Sequence, residues 1–140
     1  MSKKIYVALV TWVTVGLLAG LFYREFTKYQ GFTGWTQLKV AHTHFLALGV
    51  LALLAVLALE KLYRLSGSRA FGWFFVTWNA GLALTGTMML VKGTMQVLGN
   101  PAADHAAIAG ISGLGHITLT VAFVCLLVAL KKRVWADEQA

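Results

Sequence analysis

The chain contains one proline, one cysteine and five acidic residues in 140. Each scarcity excludes something. A single cysteine, Cys125, leaves no disulfide framework, and its place inside an apolar run reads as that of a small hydrophobe. A single proline, Pro101, leaves the long apolar runs unbroken; preceded by Asn100, it marks a break in the chain instead. Charged residues make up 12% of the sequence, against about 25% in a soluble domain. That excludes a water-soluble globular protein.

What is present is 59% hydrophobic, gathered in four runs near Lys4–Tyr23, Leu38–Leu59, Ala70–Leu90 and Ala106–Leu130. Each approaches the roughly 20 residues that a bilayer-spanning helix needs. The expected fold is all-α, an integral membrane four-helix bundle forming one domain over 1–140. Its helices are expected at about 4–24, 37–62, 70–98 and 105–132, with an aromatic loop over Phe26–Gln37. The first run is too long for the apolar region of a signal peptide and lacks a small-x-small cleavage site, so it reads as a retained helix.

The net charge of +7 reads as topology rather than as a nucleic-acid surface. Four spans put both termini and the middle hairpin on one side, with Lys3, Lys4, Lys61, Arg64, Arg69, Lys131, Lys132 and Arg133. The other side holds Arg24, Lys28, Lys39 and Lys92. The asymmetry places both termini in the cytoplasm and the chain in the cell's inner membrane.

The chemistry lies in the histidines. Val40-Ala41-His42-Thr43-His44-Phe45 puts two of the four at i, i+2 in the first turns of the second helix. His116 lies about 15 Å down the fourth helix at ~1.5 Å per residue, and His105 lies near that helix's start. All four fall in the outer half of the membrane, where an ionisable side chain is costly and marks a functional site by default. At about 100° per residue His42 and His44 point nearly 200° apart. One small ion cannot easily be gripped by both, whereas a haem needs only one imidazole on each axial side. The plain alternative is that the rings only bond carbonyls or line a wet cavity, which for interfacial His105 is the simpler reading.

Other groups share that half. Arg24 and Lys92 suit haem propionates, or else snorkel to the interface. Met88, Met89 and Met95 suit Cu(I) beside imidazoles, or else fill gaps between helices. Small residues from Ala106 to Gly115, and Gly16 with Gly20, suit close helix approach, with room for a flat cofactor beside His116. No Cys-x-x-Cys-His motif is present, so a haem would be held without covalent attachment.

The His42–His44 segment with Leu48-Gly49 resembles the histidine-x-histidine segment of the haem-copper oxidase catalytic subunit, where one helix ligates two haems on opposite faces. That subunit has twelve helices in three pseudo-equivalent groups of four, and the pair lies on the second helix of a group. The whole chain also resembles a small bacterial family of four-helix membrane proteins of unknown function, through Phe22-Tyr23-Arg24-Glu25-Phe26-Thr27, the histidine segment and Ile108–His116. The oxidase resemblance implies His42 and His44 as axial ligands and three copies mimicking one oxidase, with haem between subunits. The chain has no vicinal His-His pair, no candidate cross-linked Tyr near a third histidine and no obvious proton-channel carboxylate, since Glu60 lies near the inner end, too far from the histidines to serve them directly.

These readings lead to a membrane protein binding b-type haem through His42, His44 and His116, for electron transfer or for contact with a small gas or quinone. Any enzymatic activity would be an oxidoreductase's. A homotrimer follows the oxidase analogy, and a dimer fits the helix geometry as well. The expected partners are lipid, further copies and an unidentified redox protein, with no nucleic acid. Two rival expectations are a copper or other metal carrier using His42, His44, His116, Met88 and Met89 (less readily His105), and an assembly subunit without cofactor.

Overall fold

The computed structural model describes residues 1–137, which form four long helices and no strand. They are α1 (Ser2–Tyr29), α2 (Leu38–Tyr63), α3 (Arg69–Val97) and α4 (Ala106–Asp137). All four are long and apolar enough to cross a bilayer. Short 3₁₀ turns at Leu65–Gly67 and Pro101–Asp104 complete the chain. Both termini and the α2–α3 hairpin share one end of the bundle, here the terminal end; the other is the distal end.

Two helices outrun the sequence expectation. Helix α1 continues to Tyr29, through the stacked Phe22–Phe26 pair and the Thr27 hydroxyl, which donates to the Tyr23 carbonyl. Helix α4 continues to Asp137, where Lys131 lies 5.5 Å over the Trp135 ring one turn on. In both places i, i+4 side-chain pairs prolong a helix past its apolar run.

Helix α2 is not uniformly α-helical. Leu38–His44 is α-helix, Phe45–Leu51 is π-helix, and Ala52–Tyr63 is α-helix again. π-Helix is rare and gathers at functional sites. Here it begins at the residue after His44. Its imprint is the run of buried positions Ala41, Phe45, Gly49 and Leu53, spaced by fours where an α-helix would mix threes and fours. The distal start of α2 is tied to α3: the buried Thr36 hydroxyl donates to the Gly93 carbonyl at 2.8 Å, and the Gln96 side chain accepts from the Gln37 N–H. At the terminal end the buried Glu60 carboxylate accepts from the Ser66 N–H and closes the hairpin, and Ser68 caps α3 by accepting from Phe71 N–H.

The helices pack in chain order, α1 on α2, α2 on α3 and α3 on α4; among the described residues α1 and α4 do not meet. The most extensive seam is α3–α4, where a Cβ on Gly115 would collide with the Thr85 hydroxyl and sit 3.0 Å from its backbone nitrogen. A Cβ on Gly86 would likewise fall inside the Phe45 ring of α2. These bare backbones let helices approach where burial of apolar surface gives no drive of its own. Helices α2 and α4 approach each other only along Ala52–Tyr63. Over the distal half, α3 stands between them.

Candidate functional site

That separation leaves a gap between α2 and α4 with α3 behind it, here called the α2–α4 cleft, and side chains cover its α3 strip: Trp78 is 1% and Leu82 0% exposed. Thr85 faces α4 through Gly115, and its neighbour Gly86 faces α2 through Phe45. At 100° per residue the strip between those two directions carries Trp78, Leu82 and Met89, with Lys92 at the distal end of the Trp78–Thr85 line. Trp78 closes the cleft on the terminal side. Its indole N–H donates to the Leu48 carbonyl of α2 at 3.2 Å, and its ring packs edge-on against Phe123 of α4 with centroids 4.9 Å apart.

His116 lies seven residues before Phe123 and shares its face of α4, so it lies on the cleft flank two turns toward the distal end. His44 lies on the opposite wall. In α2, Leu46 packs against Gly16 and His42 against Gly20, both on α1. Phe45 faces α3. The residue before it, His44, therefore leaves α2 on the flank away from α1, the side of α4. Depth agrees as well, since Phe45 meets Gly86 and Gly115 meets Thr85 at one level of α3. His44 and His116 each adjoin a residue of that layer.

Both rings are oriented in the same way. His44 Nδ1 is 3.1 Å from the Val40 carbonyl and His116 Nδ1 is 3.0 Å from the Ser112 carbonyl, each one turn back. A carbonyl only accepts, so each Nδ1 carries the proton and a neutral ring keeps its Nε2 lone pair free. A histidine that ligates metal is held in this way, one nitrogen tied and the other presented.

The remaining candidates separate. His42 is turned into the α1–α2 seam, its Nδ1 buried without a partner and its Nε2 3.5 Å from the Thr43 hydroxyl. His105 is exposed, and its Nδ1 accepts from the Ala107 N–H, capping α4. Arg24, its side chain 75% exposed, pairs with adjacent Glu25 at 3.3 Å and stands on α1 away from the cleft. Lys92, only 20% exposed, pairs with Asp104 at 3.4 Å above the cleft's distal mouth. Met88 and Met89 are buried and Met95 half-buried. Among the described residues no three of His, Cys, Asp and Glu converge on one point. Thr85, 1% exposed with an unpartnered hydroxyl beside Gly115, is a buried polar group of this layer that the sequence gives no reason to single out. Spacing from Trp78 (seven residues) is the one signal that would have found it.

No curated protein and no solved structure matches this chain. A family described as a protein of unknown function, DUF2871, matches residues 1–133. The match takes in α1, α2, α3, most of α4 and every histidine, and the chain belongs to that family.

Proposed function

We propose that the α2–α4 cleft binds a b-type haem, which His44 and His116 would hold, and that the protein transfers single electrons within the membrane. The reading rests on two imidazoles, half-buried His44 on α2 and exposed His116 on α4, each with Nδ1 tied to its own helix and each placed by helix phase toward the space between α2 and α4. The donor set fits the group, since each axial position takes one neutral imidazole nitrogen. Leu82, Met89 and Trp78 lie on the α3 strip between the two histidines but are buried, so a flat macrocycle seated there would have to displace the side chains that cover them. Lys92 is the cation for a propionate, exchanging its pairing with the exposed Asp104 carboxylate. When bound, haem supplies the one-electron couple; the chain's part is to orient the two rings and exclude water.

The charge asymmetry supports a multi-pass protein of the inner membrane with cytoplasmic termini, which puts the cleft in the outer half. The unpaired outer faces of α1 and α4 suit association with further copies, a trimer by the oxidase resemblance. Copper is the second reading, favoured by Met89 facing the cleft between the same histidines.

The test is the visible spectrum of the detergent-purified protein, oxidised and dithionite-reduced. A Soret band with sharp reduced α and β bands is expected, lost in both His44→Ala and His116→Ala. A preparation that stays colourless after haem supplementation defeats the haem reading, and copper content in that preparation then decides the second.

A further inference from the structure

A second feature of the molecule lies outside the histidine cleft and is independent of it. Helices α1 and α3 barely touch, and toward the terminal end they leave a groove of about 560 Å³. Its walls are Val7, Ala8, Trp12 and Phe75, and its deep end is Asn79. Both ends of that amide already have a partner: its oxygen accepts from the Trp12 indole at 2.8 Å and its nitrogen donates to the Phe75 carbonyl at 2.7 Å. Thr11, the other polar residue between the lysines and Asn79, turns its hydroxyl back onto the Val7 carbonyl at 2.9 Å, so the walls suit hydrocarbon. Its open end carries Lys3 and Lys4, both exposed and without an ion pair among the described residues.

We infer that this groove is a site for an anionic phospholipid, its phosphate held by Lys3 and Lys4 and one acyl chain lying against Val7, Ala8 and Phe75 toward Trp12. From Lys4 to Trp12 is about 12 Å at ~1.5 Å rise per residue, most of one leaflet's depth. Charge and shape each remove an alternative. A zwitterionic lipid fits the walls but gains less from two adjacent ammonium groups, because its own cation offsets its phosphate, and a free phosphate gains nothing from the walls. Basic pockets between membrane helices recognise anionic headgroups on this principle. The terminal end has a second basic pocket at Gly67–Ala70, with Arg69, Lys132 and Arg133, whose walls are mixed polar and apolar where those of the α1–α3 groove are almost wholly apolar.

The experiment is a native mass-spectrometry titration of the full chain in detergent, where insertion topology plays no part. The lipids are phosphatidylglycerol and phosphatidylcholine with identical acyl chains. Phosphatidylglycerol is expected to bind more tightly, with the preference falling about fivefold for each lysine removed in Lys3→Gln and Lys4→Gln. Ala8→Trp, which fills the groove, is expected to weaken both lipids. Lys131→Gln with Lys132→Gln, at the same end but off the groove, is expected to change neither. Equal binding of the two lipids overturns the proposal. So does an equal loss in the Lys131/Lys132 variant, which would mean diffuse surface charge, or displacement of the lipid by glycerol phosphate alone, which would mean a headgroup site without a chain.

Discussion

The indole of Trp78 on α3 donates its hydrogen bond to the main-chain carbonyl of Leu48, inside the π-helical stretch of α2 that follows His44. A π-turn disturbs the regular i→i−4 ladder, and in a bilayer a freed carbonyl has no water to turn to. The tryptophan supplies the donor from the neighbouring helix. The irregular stretch is thereby tied to α3, at the inner boundary of the histidine cleft.

Trp78→Phe isolates that bond, because a phenyl ring keeps much of the packing against Phe74 and Phe123. Hydrogen bonds between membrane helices average about 0.6 kcal/mol, while a buried acceptor left bare costs about 1–3 kcal/mol. The expected loss is about 1 kcal/mol, read as a shifted midpoint in denaturant unfolding from detergent micelles. A loss below measurement error would mean that the Leu48 carbonyl finds another donor.

The π-stretch itself can be removed. One extra residue in a helix makes a π-turn, so deleting Ala47 is expected to restore α-helix through α2. The segment before the deletion then turns by about 100° relative to the segment after it. His44 would no longer face α4, while the apolar faces on both sides of the cut stay helical. The expected variant is folded by circular dichroism and lacks the haem spectrum. Retained haem with native band positions would show that the π-turn does not aim His44.

Gly113 and Gly115 make a paired test of the α3–α4 seam. A methyl group on Gly115 meets the Thr85 backbone at 3.0 Å, and backbone cannot step aside, so Gly115→Ala is expected to cost about 1–3 kcal/mol. A methyl group on Gly113 meets nothing within 4 Å. Gly113→Ala is expected to be neutral, or to stabilise by up to about 1 kcal/mol through helix propensity. Thermal unfolding of the two variants side by side checks the sign as well as the size. Equal effects would mean that the helices pack by another face of α4.

This pair also shows how far the sequence could be read. Four spans were legible because bilayer thickness fixes their length, and the shared end of the termini follows from an even number of spans. The small residues from Ala106 to Gly115 read as one packing stripe. Yet only Gly115 among its glycines touches α3, because helix phase rather than composition decides which one faces the neighbour. The departure of His42 and His44 toward different sides of α2 was legible from 100° per residue. The π-turn after them was not, since Phe45–Leu51 contains nothing but ordinary apolar residues and its geometry is imposed by Trp12, Gly86 and Trp78 from other helices. Lys92 over the cleft and Arg24 away from it looked equivalent as basic residues near one interface. Their difference is tertiary.

His42 gives the sharpest test of the proposed division between ligand and packing residue. Its Nδ1 is buried in the α1–α2 seam without a partner, and an orphaned buried polar atom costs about 1–3 kcal/mol that an apolar group of similar shape avoids. His42→Leu is therefore expected to raise the unfolding midpoint and to leave the spectrum unchanged. His44→Leu removes a ring whose Nδ1 is satisfied and whose Nε2 is free, so it is expected to abolish the low-spin haem bands with little change in stability of the cofactor-free protein. Substituting both positions should then give the sum of two independent effects, stability from one and spectrum from the other. If His42→Leu removes the haem and His44→Leu keeps it, the axial ligand comes from the α1 side. The cofactor would then sit between α1 and α2, and the α2–α4 cleft would be left without its proposed role.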